Sequence, residues 1–254
     1  MVTVERQKRL KRYYMQNKFQ TDFDYYTTLI KSDTNFAYAR YADGEVGLMK
    51  GNAIGTNSQA FAVDRWSTSL GLNKVGEGLL KSLKHTETNY HYAISAHSDS
   101  IDDYTFLSDR IQNPNKTFAN LWINSNYQKM YEFYKTLDKS VYVICNHRAK
   151  RENFPFKVND IFPFPDDCIK YWIEYGEDYI QQLLEYVNQL QNQTFFISAG
   201  PVSEILIDVM YSSNPNNQYI DVGSSIDEFT HGRKTRPYMD PTSQYSKEIS
   251  YFYE

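Results

Sequence analysis

Short apolar segments alternate with longer segments of helical periodicity along most of the chain. Residues 140–145 and 194–198 are almost uninterrupted apolar runs, as expected of strands that are buried on both faces of a sheet. Shorter runs predict further strands at 36–40, 90–95, 117–123 and 219–222, and a weaker one at 157–162. The pattern therefore predicts a sheet of about six strands.

Amphipathic helical patterns fill the intervals between these strands. They predict helices at 4–18, 22–31, 46–49, 64–85, 102–111, 127–137, 167–190 and from Pro201 to Met210. Strands that alternate with helices are typical of βαβ units. We therefore expect an α/β fold: a single three-layer domain over residues 1–254 with a mostly parallel sheet. Residues 1–33 would be an N-terminal helical extension, and residues 228–254 a polar C-terminal tail.

Composition narrows the class of protein. The chain has 254 residues and a formal net charge of -4, which argues against a surface devoted to nucleic acid because such surfaces are basic. It has two cysteines and no apolar run long enough to span a membrane, and its charged first eighteen residues do not predict a secretion signal. We expect a cytoplasmic protein without a disulfide framework or structural zinc.

The first predicted helix is basic. Its cations follow one another closely at Arg6, Lys8, Arg9, Lys11 and Arg12. Such a cluster could make peripheral contact with anionic lipid or with an anionic polymer. The alternative, which the usual behaviour of charge runs favours, is a solvated helix face.

Ligands of parallel α/β sheets bind at the carboxyl ends of the strands, so the segments just after each strand are the candidate sites. The first is Arg40-Tyr41-Ala42-Asp43-Gly44-Glu45. Gly44 permits a left-handed turn, which would let the two flanking carboxylates converge. Paired carboxylates suit Mg²⁺ or Mn²⁺, and Arg40 could bind phosphate. The alternative is an ordinary turn, because Asp and Gly are common turn residues.

Two later segments have the composition of ligand-binding turns. In Ser198-Ala-Gly-Pro-Val-Ser203, Gly200 and Pro201 open a predicted helix whose N-terminus could bind an anion, with Ser198 and Ser203 as hydroxyl donors. In the segment from Asp221 to Asp227, Gly223 allows a close approach to a ligand and the two carboxylates could hold sugar hydroxyls. In both cases the alternative is a plain connection between two elements.

Two further features stand after predicted strands. The segment Asn146-His-Arg-Ala-Lys-Arg151 brings cations, Arg148 among them, to a place where a diphosphate could lie. Solvated surface charge is an equal alternative. His97 follows the strand at 90–95 and could act as a base or metal ligand, although a single histidine is more often structural.

Taken in this order, the segments resemble the GT-D fold glycosyltransferases, a family first described from a bacterial domain of unknown function in adhesin glycosylation. The first strand of that family ends in a pattern like Arg-[Phe/Tyr]-Gly-Asp-Gly-Glu, matched here at 40–45. A late strand–Gly-Pro–helix element is matched at 198–201, and an Ile-Asp-[Ile/Val]-Gly pattern at 220–223. The resemblance extends over residues 34–230.

The resemblance implies a Rossmann-like fold, a metal-dependent transferase and a UDP-sugar donor. Mn²⁺ or Mg²⁺ would be held by Asp43 and Glu45, and the acceptor would be a glycan, polysaccharide or glycoprotein. The chain departs from the family at Ala42, where Gly is frequent, and at Ser224-Ser-Ile-Asp227, where a histidine-containing stretch is expected. These departures bear on acceptor and sugar specificity more than on nucleotide binding.

Further roles follow from the chemistry of transfer. Breaking a sugar–diphosphate bond builds negative charge on the leaving group, which Arg40, Arg148 and the turn at Ser198 and Gly200 could stabilise together with the metal. Asp221 and Gly223 would contact the nucleotide. The basic tail at 231–236 could supply more donors to the diphosphate. Candidates for the base that deprotonates the acceptor are, in order, Asp227, His231 and His97.

Other classes of protein stay open at this point. A Rossmann methyltransferase or dehydrogenase is possible, but no GxGxxG follows the first strand. A non-catalytic nucleotide- or carbohydrate-binding module would use the same turns as scaffold only.

Overall fold

The described part of the chain contains one sheet of seven parallel strands. The computed structural model describes residues 4–51, 72–95 and 101–249. The strands are β1 (Ala37–Tyr41), β2 (Tyr90–Ile94), β3 (Lys116–Phe118), β4 (Val141–Asn146), β5 (Val158–Phe164), β6 (Thr194–Ile197) and β7 (Gln218–Asp221). Their order is β3-β2-β1-β7-β6-β4-β5, and every neighbouring pair is parallel. The predicted fold class is confirmed, with a strand count close to the predicted six.

Helices connect these strands and cover both faces of the sheet. They are α1 (Val4–Lys31), α2 (Asp43–Met49), α3 (Leu72–Lys81), α4 (Ile101–Ser108), α5 (Tyr127–Lys135), α6 (Cys168–Val187), α7 (Ser203–Ser213) and α8 (Asp227–His231). Short 3₁₀ helices lie at Ser82–Lys84, Asn124–Asn126, Arg151–Asn153, Gly200–Val202, Gly223–Ile226, Pro237–Met239 and Gln244–Lys247. Residues 64–71 of the predicted helix 64–85 lie outside the described residues.

Successive side chains of a strand point to opposite faces of the sheet, and this places the helices in two layers. Phe195 stacks on Tyr142, which in turn contacts Tyr186 of α6. The next residue, Phe196, contacts Tyr134 of α5 on the other face. Helices α3, α6 and α7 form the first layer, and α1, α5 and α8 the second. The result is the predicted three-layer domain.

Helix α1 is a single helix of 28 residues, so the predicted break between 4–18 and 22–31 is wrong. The reason is an apolar stripe that runs through the expected break. Phe19, Phe23, Tyr26 and Ile30 recur every three or four residues and are all buried. The second half of α1 therefore packs on the sheet, where Tyr26 contacts Tyr38 of β1.

Strand β3 is shorter than the predicted 117–123. After Phe118 the chain turns, since Leu121 donates its N–H to the Phe118 carbonyl and Ile123 donates to the Asn120 carbonyl. The apolar residues that mimic a longer strand, Leu121 and Trp122, are buried within this turn. Burial of a turn thus accounts for the apolar pattern.

The C-terminal tail is ordered through short helical turns. After α8 the chain packs Tyr238 and Met239 against Tyr127 of α5. Further along, Asn124 donates its side-chain N–H to the Tyr245 carbonyl and to Glu248. None of the helices in the described ranges has both the length and the apolar character that a membrane crossing requires.

Candidate functional site

The four segments singled out by their composition follow four consecutive strands of the sheet. Residues 40–45 leave β1, 221–227 leave β7, 198–203 leave β6 and 146–151 leave β4, in the spatial order β1-β7-β6-β4. Because these strands are parallel, all four segments start at one edge, which we call the carboxyl edge. The chain runs from β1 to β2 and β3 on one side and then crosses to β4 on the other. Open α/β sheets bind their ligands at such a reversal.

Arg40 and Asp221 form the centre of this edge. The Nε of Arg40 donates to Oδ2 of Asp221 at 3.2 Å, and Asp221 is 1% exposed. The other oxygen of Asp221 accepts the N–H of Gly223 at 2.7 Å. Gly223 has φ +49 and lies directly against the Arg40 guanidinium. Three of the six residues that the sequence proposed for nucleotide contact therefore form one hydrogen-bonded unit.

The charge of Arg40 is stabilised by surrounding acids. Burial alone would lower its pKa, but the carboxyl groups of Asp221, Glu45 and Glu204 raise it above its ordinary value. The guanidinium is therefore charged and committed to these neighbours, and one fifth or less of its side chain reaches solvent.

Asp43 and Glu45 occupy the first turn of α2. Glu45 is buried and its Oε2 accepts the N–H of Ala42 at 2.8 Å, which caps the helix, whereas Asp43 is exposed. Residues two apart in a helix point to different sides. Gly44 lies within the helix and has no positive φ. The predicted convergence of the two carboxylates through a left-handed Gly44 is therefore wrong.

Glu45 is held in a low-dielectric setting. Burial raises its pKa, while the charge of Arg40 and the backbone N–H groups at Glu45 and Ala42 lower it, and the net shift is upward. Its carboxyl group thus belongs to the Arg40 centre, and Asp43 presents the more accessible carboxylate.

Glu204 is the site residue that sequence reasoning missed. It lies in the first turn of α7, it is fully buried, and neither of its carboxyl oxygens has a hydrogen-bond donor among the described residues. Burial, and then the neighbouring carboxyl groups of Asp221 and Glu45, raise its pKa well above the ordinary value. A protonated Glu204 can donate to Asp221. The available signal was one acid inside the apolar run Val202-Ser-Glu-Ile-Leu-Ile207.

The turn after β6 has a left-handed glycine. Gly200 adopts φ +58, is exposed, and is followed by Pro201 in the 3₁₀ turn that leads into α7. Ser198 is half-buried beside it. Ser203 is buried, and its hydroxyl accepts the N–H of Ala199 at 2.9 Å. Ser203 therefore stabilises the turn and does not face a ligand.

Asp227 and His231 begin and end α8, close to the Arg40 centre. Asp227 is 8% exposed, and its Oδ2 accepts the Thr235 hydroxyl at 2.6 Å. Burial raises the pKa of Asp227, while the Thr235 hydrogen bond and the charges of Arg236, His231 and Arg40 partly oppose the rise. His231 Nδ1 lies 2.7 Å from the Thr230 hydroxyl and 3.2 Å from the Asp227 carbonyl. Asp227 is the better placed of the two candidate bases.

Arg148 lies at the far end of the four segments. Three strand spacings separate β4 from β1, or roughly 14 Å. Arg148 is more than half exposed, and both of its terminal nitrogens bind the carboxylate of Asp166. The structure thus does not bring Arg148 to the Arg40 centre. His97 lies outside the described residues.

The donor atoms present suit one kind of metal site. No group of three or more His, Cys, Asp or Glu side chains among the described residues could hold a metal. Mg²⁺ at nucleotide sites usually takes one or two carboxylates and completes its shell with water and substrate phosphate. The exposed Asp43 carboxylate fits that kind of ion only, whereas the buried Glu45 carboxyl group is directed to the Ala42 N–H and the Arg40 centre.

Comparisons with known proteins identify the fold. No protein-family model matches the sequence, and no curated protein matches it. A solved structure described as "The highly conserved domain of unknown function 1792 has a distinct glycosyltransferase fold" matches with a TM-score of 0.50 and 15% identity, over 78% of this chain and 76% of that chain. A selenomethionine-substituted structure of the same domain matches with a TM-score of 0.52 and 13% identity, over 86% and 85%. The chain therefore has the distinct glycosyltransferase fold described for domain of unknown function 1792.

Proposed function

We propose that this protein is a glycosyltransferase that moves a sugar from a nucleotide diphosphate, a UDP-sugar, to a hydroxyl group of a glycan, polysaccharide or glycoprotein. The observation that carries the proposal is the fold match combined with the position of the motifs. The segments at 40–45, 198–201 and 220–223 lie at the ends of the adjacent strands β1, β6 and β7. Ligands of such sheets bind at this edge.

The donor would lie across β1, β7 and β6. Asp43 would hold Mn²⁺ or Mg²⁺ through its exposed carboxylate, with water and the diphosphate as the other ligands, and the ion would supply positive charge to the diphosphate as the sugar leaves. Arg40 and Asp221 would be fixed by their mutual hydrogen bond, and Gly223 leaves the room that the guanidinium needs. The exposed, left-handed Gly200 would leave room for a phosphate near the N-terminus of the 11-residue helix α7, whose dipole favours an anion.

Asp227 would be the catalytic base. Its raised pKa improves its ability to take a proton, and its hydrogen bond from Thr235 holds one carboxylate oxygen in place. The acceptor oxygen would form a bond to the anomeric carbon while the bond from that carbon to the diphosphate oxygen breaks. The acceptor proton would pass to Asp227. His231, one helical turn later, is the second candidate for this role.

A binding and turnover experiment tests the proposal. We expect UDP with Mn²⁺ to raise the melting temperature of the full chain, and a UDP-sugar to be hydrolysed slowly in the absence of acceptor, because ligands of the native state stabilise it. Asp43→Asn should lose both effects. Asp138→Asn is the matched control, since Asp138 is exposed and precedes β4 at the opposite edge of the sheet.

The outcomes separate the classes of protein. UDP binding without turnover of any UDP-sugar would favour a non-catalytic nucleotide-binding module. Stabilisation by S-adenosylmethionine or NAD in place of UDP would favour a methyltransferase or dehydrogenase. A wild-type protein that binds none of these nucleotides would contradict the transferase.

A further inference from the structure

The centre of the carboxyl edge holds more negative than positive charge. Arg40 is the cation there, and the carboxyl groups of Asp221, Glu45 and Glu204 all act on it. Even with Glu204 protonated, two carboxylates oppose one guanidinium. A diphosphate brings further negative charge to this centre. Its binding therefore requires cations that these carboxylates do not already neutralise.

The C-terminal segment 232–239 lies against the segment that follows β7 and is fastened to it at two points. At the first, the Thr235 hydroxyl donates to Asp227 at 2.6 Å. At the second, the Tyr238 and Ser224 hydroxyls lie 2.6 Å apart, and Met239 next to Tyr238 is fully buried. The N–H of Thr235 also donates to the Met239 sulfur at 3.3 Å. We call residues 232–239 the strap.

Arg236 lies between the two fastenings of the strap. It is the residue before the 3₁₀ helix Pro237–Met239, and its side chain is half-buried. Its charge acts on Asp227 and on Tyr238, and the charge of Arg40 acts on the same two groups. Arg236 and Arg40 therefore approach the same part of the edge from opposite chain segments.

We propose that Arg236 is the side chain of the strap that binds the diphosphate of the nucleotide donor. Three observations carry this: the fixed position of Arg236 between Thr235 and Tyr238, its place beside Asp227, and the carboxylate surplus around Arg40. A guanidinium suits the role because its planar set of N–H donors matches two phosphate oxygens at once. This proposal rests on the proposed function, because it assigns to Arg236 the binding of the diphosphate of that donor.

The remainder of the strap is consistent with an anion-binding segment. Gly232 adopts φ +66 with open space where a Cβ would stand, and Arg233 and Lys234 follow it on the exposed surface. These two cations lack the fastening that Arg236 has. They would attract the nucleotide to the edge, whereas Arg236 would bind it.

Calorimetric titration of the full chain with UDP and with uridine, in the presence of Mn²⁺, tests Arg236. Arg236→Ala should weaken UDP binding by about ten-fold or more, which is the size of a hydrogen bond to a charged group. Uridine has no phosphate, so its binding should not change. The UDP affinity of Arg236→Lys should lie between those of the wild type and Arg236→Ala, because lysine keeps the charge and loses the paired donors. Arg110→Ala is the control, since Arg110 is exposed and precedes β3 at the opposite edge.

Three results would overturn the inference. Unchanged UDP binding by Arg236→Ala would remove Arg236 from the site and leave the transferase proposal standing. An equal loss of UDP and uridine binding would show that Arg236 only supports the fold, and Arg236→Gln, which keeps a polar side chain without the charge, would then lose both as well. A wild-type protein that binds no UDP would contradict both proposals together.

Discussion

The guanidinium of Arg40 lies so close to the backbone of Gly223 that a Cβ at position 223 would stand 2.6 Å from Nη2 and 2.8 Å from Cζ. Gly223 also donates its N–H to Asp221, the carboxylate that binds Arg40. The glycine therefore does two things: it adopts a left-handed turn, and it leaves the volume that a buried arginine occupies. The Ile-Asp-Val-Gly pattern at the end of β7 has a packing reason in this chain.

Replacing Gly223 should cost more than the turn alone explains. In Gly223→Ala, the left-handed conformation costs about 1–2 kcal/mol. The added methyl group also pushes the Arg40 guanidinium away from Asp221, which leaves a buried charge poorly paired. We expect a lower free energy of unfolding in urea, together with weaker UDP binding.

Gly51→Ala is the matched control for this effect. Gly51 has φ +73, and nothing lies within 4 Å of the place where its Cβ would stand. It should lose only the conformational part of the stability and none of the UDP binding. Equal losses of stability in Gly51→Ala and Gly223→Ala would show that Arg40 moves aside without cost.

Most of the fold was predictable because it depends on the alternation of apolar runs with helical patterns along the chain. The apolar runs at 141–145 and 194–197 are strands buried on both faces, and the alternation with helices predicts the parallel sheet. The bounds of some predicted elements were wrong because buried apolar residues changed the pattern from which those bounds were predicted. Trp122 lengthened a predicted strand because it is buried in a turn, and the stripe through Phe19 and Phe23 joined two predicted helices.

The ends of the strands were predictable as the place of the candidate residues, but the contacts between these residues were not. The structure brings Arg40 and Asp221 into a hydrogen bond that their separate motifs did not predict. Side-chain direction within a short helix was not predictable either: Asp43 and Glu45 were expected to converge, yet one is exposed and the other caps α2. Glu204 was missed because a carboxyl group inside an apolar helix is recognised as functional only when its neighbours on other strands are known.

Glu204→Gln should change how stability depends on pH. The raised pKa of Glu204 means that the folded protein holds its proton more tightly than the unfolded chain does. The stabilisation from this group is therefore complete below the ordinary value of 4.5 and is lost as the pH rises through the higher folded pKa. Glutamine has no such proton to lose, and its amide can still donate to Asp221.

Urea unfolding of the wild type and Glu204→Gln between pH 5 and pH 8 measures this difference. The variant should become progressively more stable relative to the wild type as the pH rises, by at most about 1.4 kcal/mol per pH unit. A stability difference that stays constant across this range would mean that Glu204 is ionised throughout and has no proton to donate to Asp221.

Thr235→Val should shift the pH dependence of transfer. The Thr235 hydroxyl lowers the pKa of Asp227 by donating a hydrogen bond to it. Without that donor, the pKa of Asp227 rises further, so the base is protonated at a higher pH. We expect the acidic limb of the pH–rate profile to move to higher pH. Asp227→Asn should lower the transfer rate by about 10²–10⁴ with little change in UDP binding. An acidic limb unmoved in Thr235→Val would assign that limb to another group.

Cys168 reports on whether the nucleotide lies over the Gly200 turn. The chain has two cysteines, of which Cys145 is fully buried in β4 and Cys168 is half-buried at the start of α6. The Cys168 sulfur would stand 3.1 Å from a Cβ at position 200, so it borders the exposed Gly200. A thiol reagent should therefore modify Cys168 in the native protein much faster than Cys145.

If the diphosphate occupies this turn, saturating UDP with Mn²⁺ should slow the modification of Cys168, whereas uridine should slow it less. The rate is followed by the absorbance of the released thiolate, with Cys168→Ser confirming which thiol reacts. A modification rate that UDP leaves unchanged would place the nucleotide away from Gly200, towards β1 and the strap, because a bound diphosphate at the turn would cover the path to the sulfur.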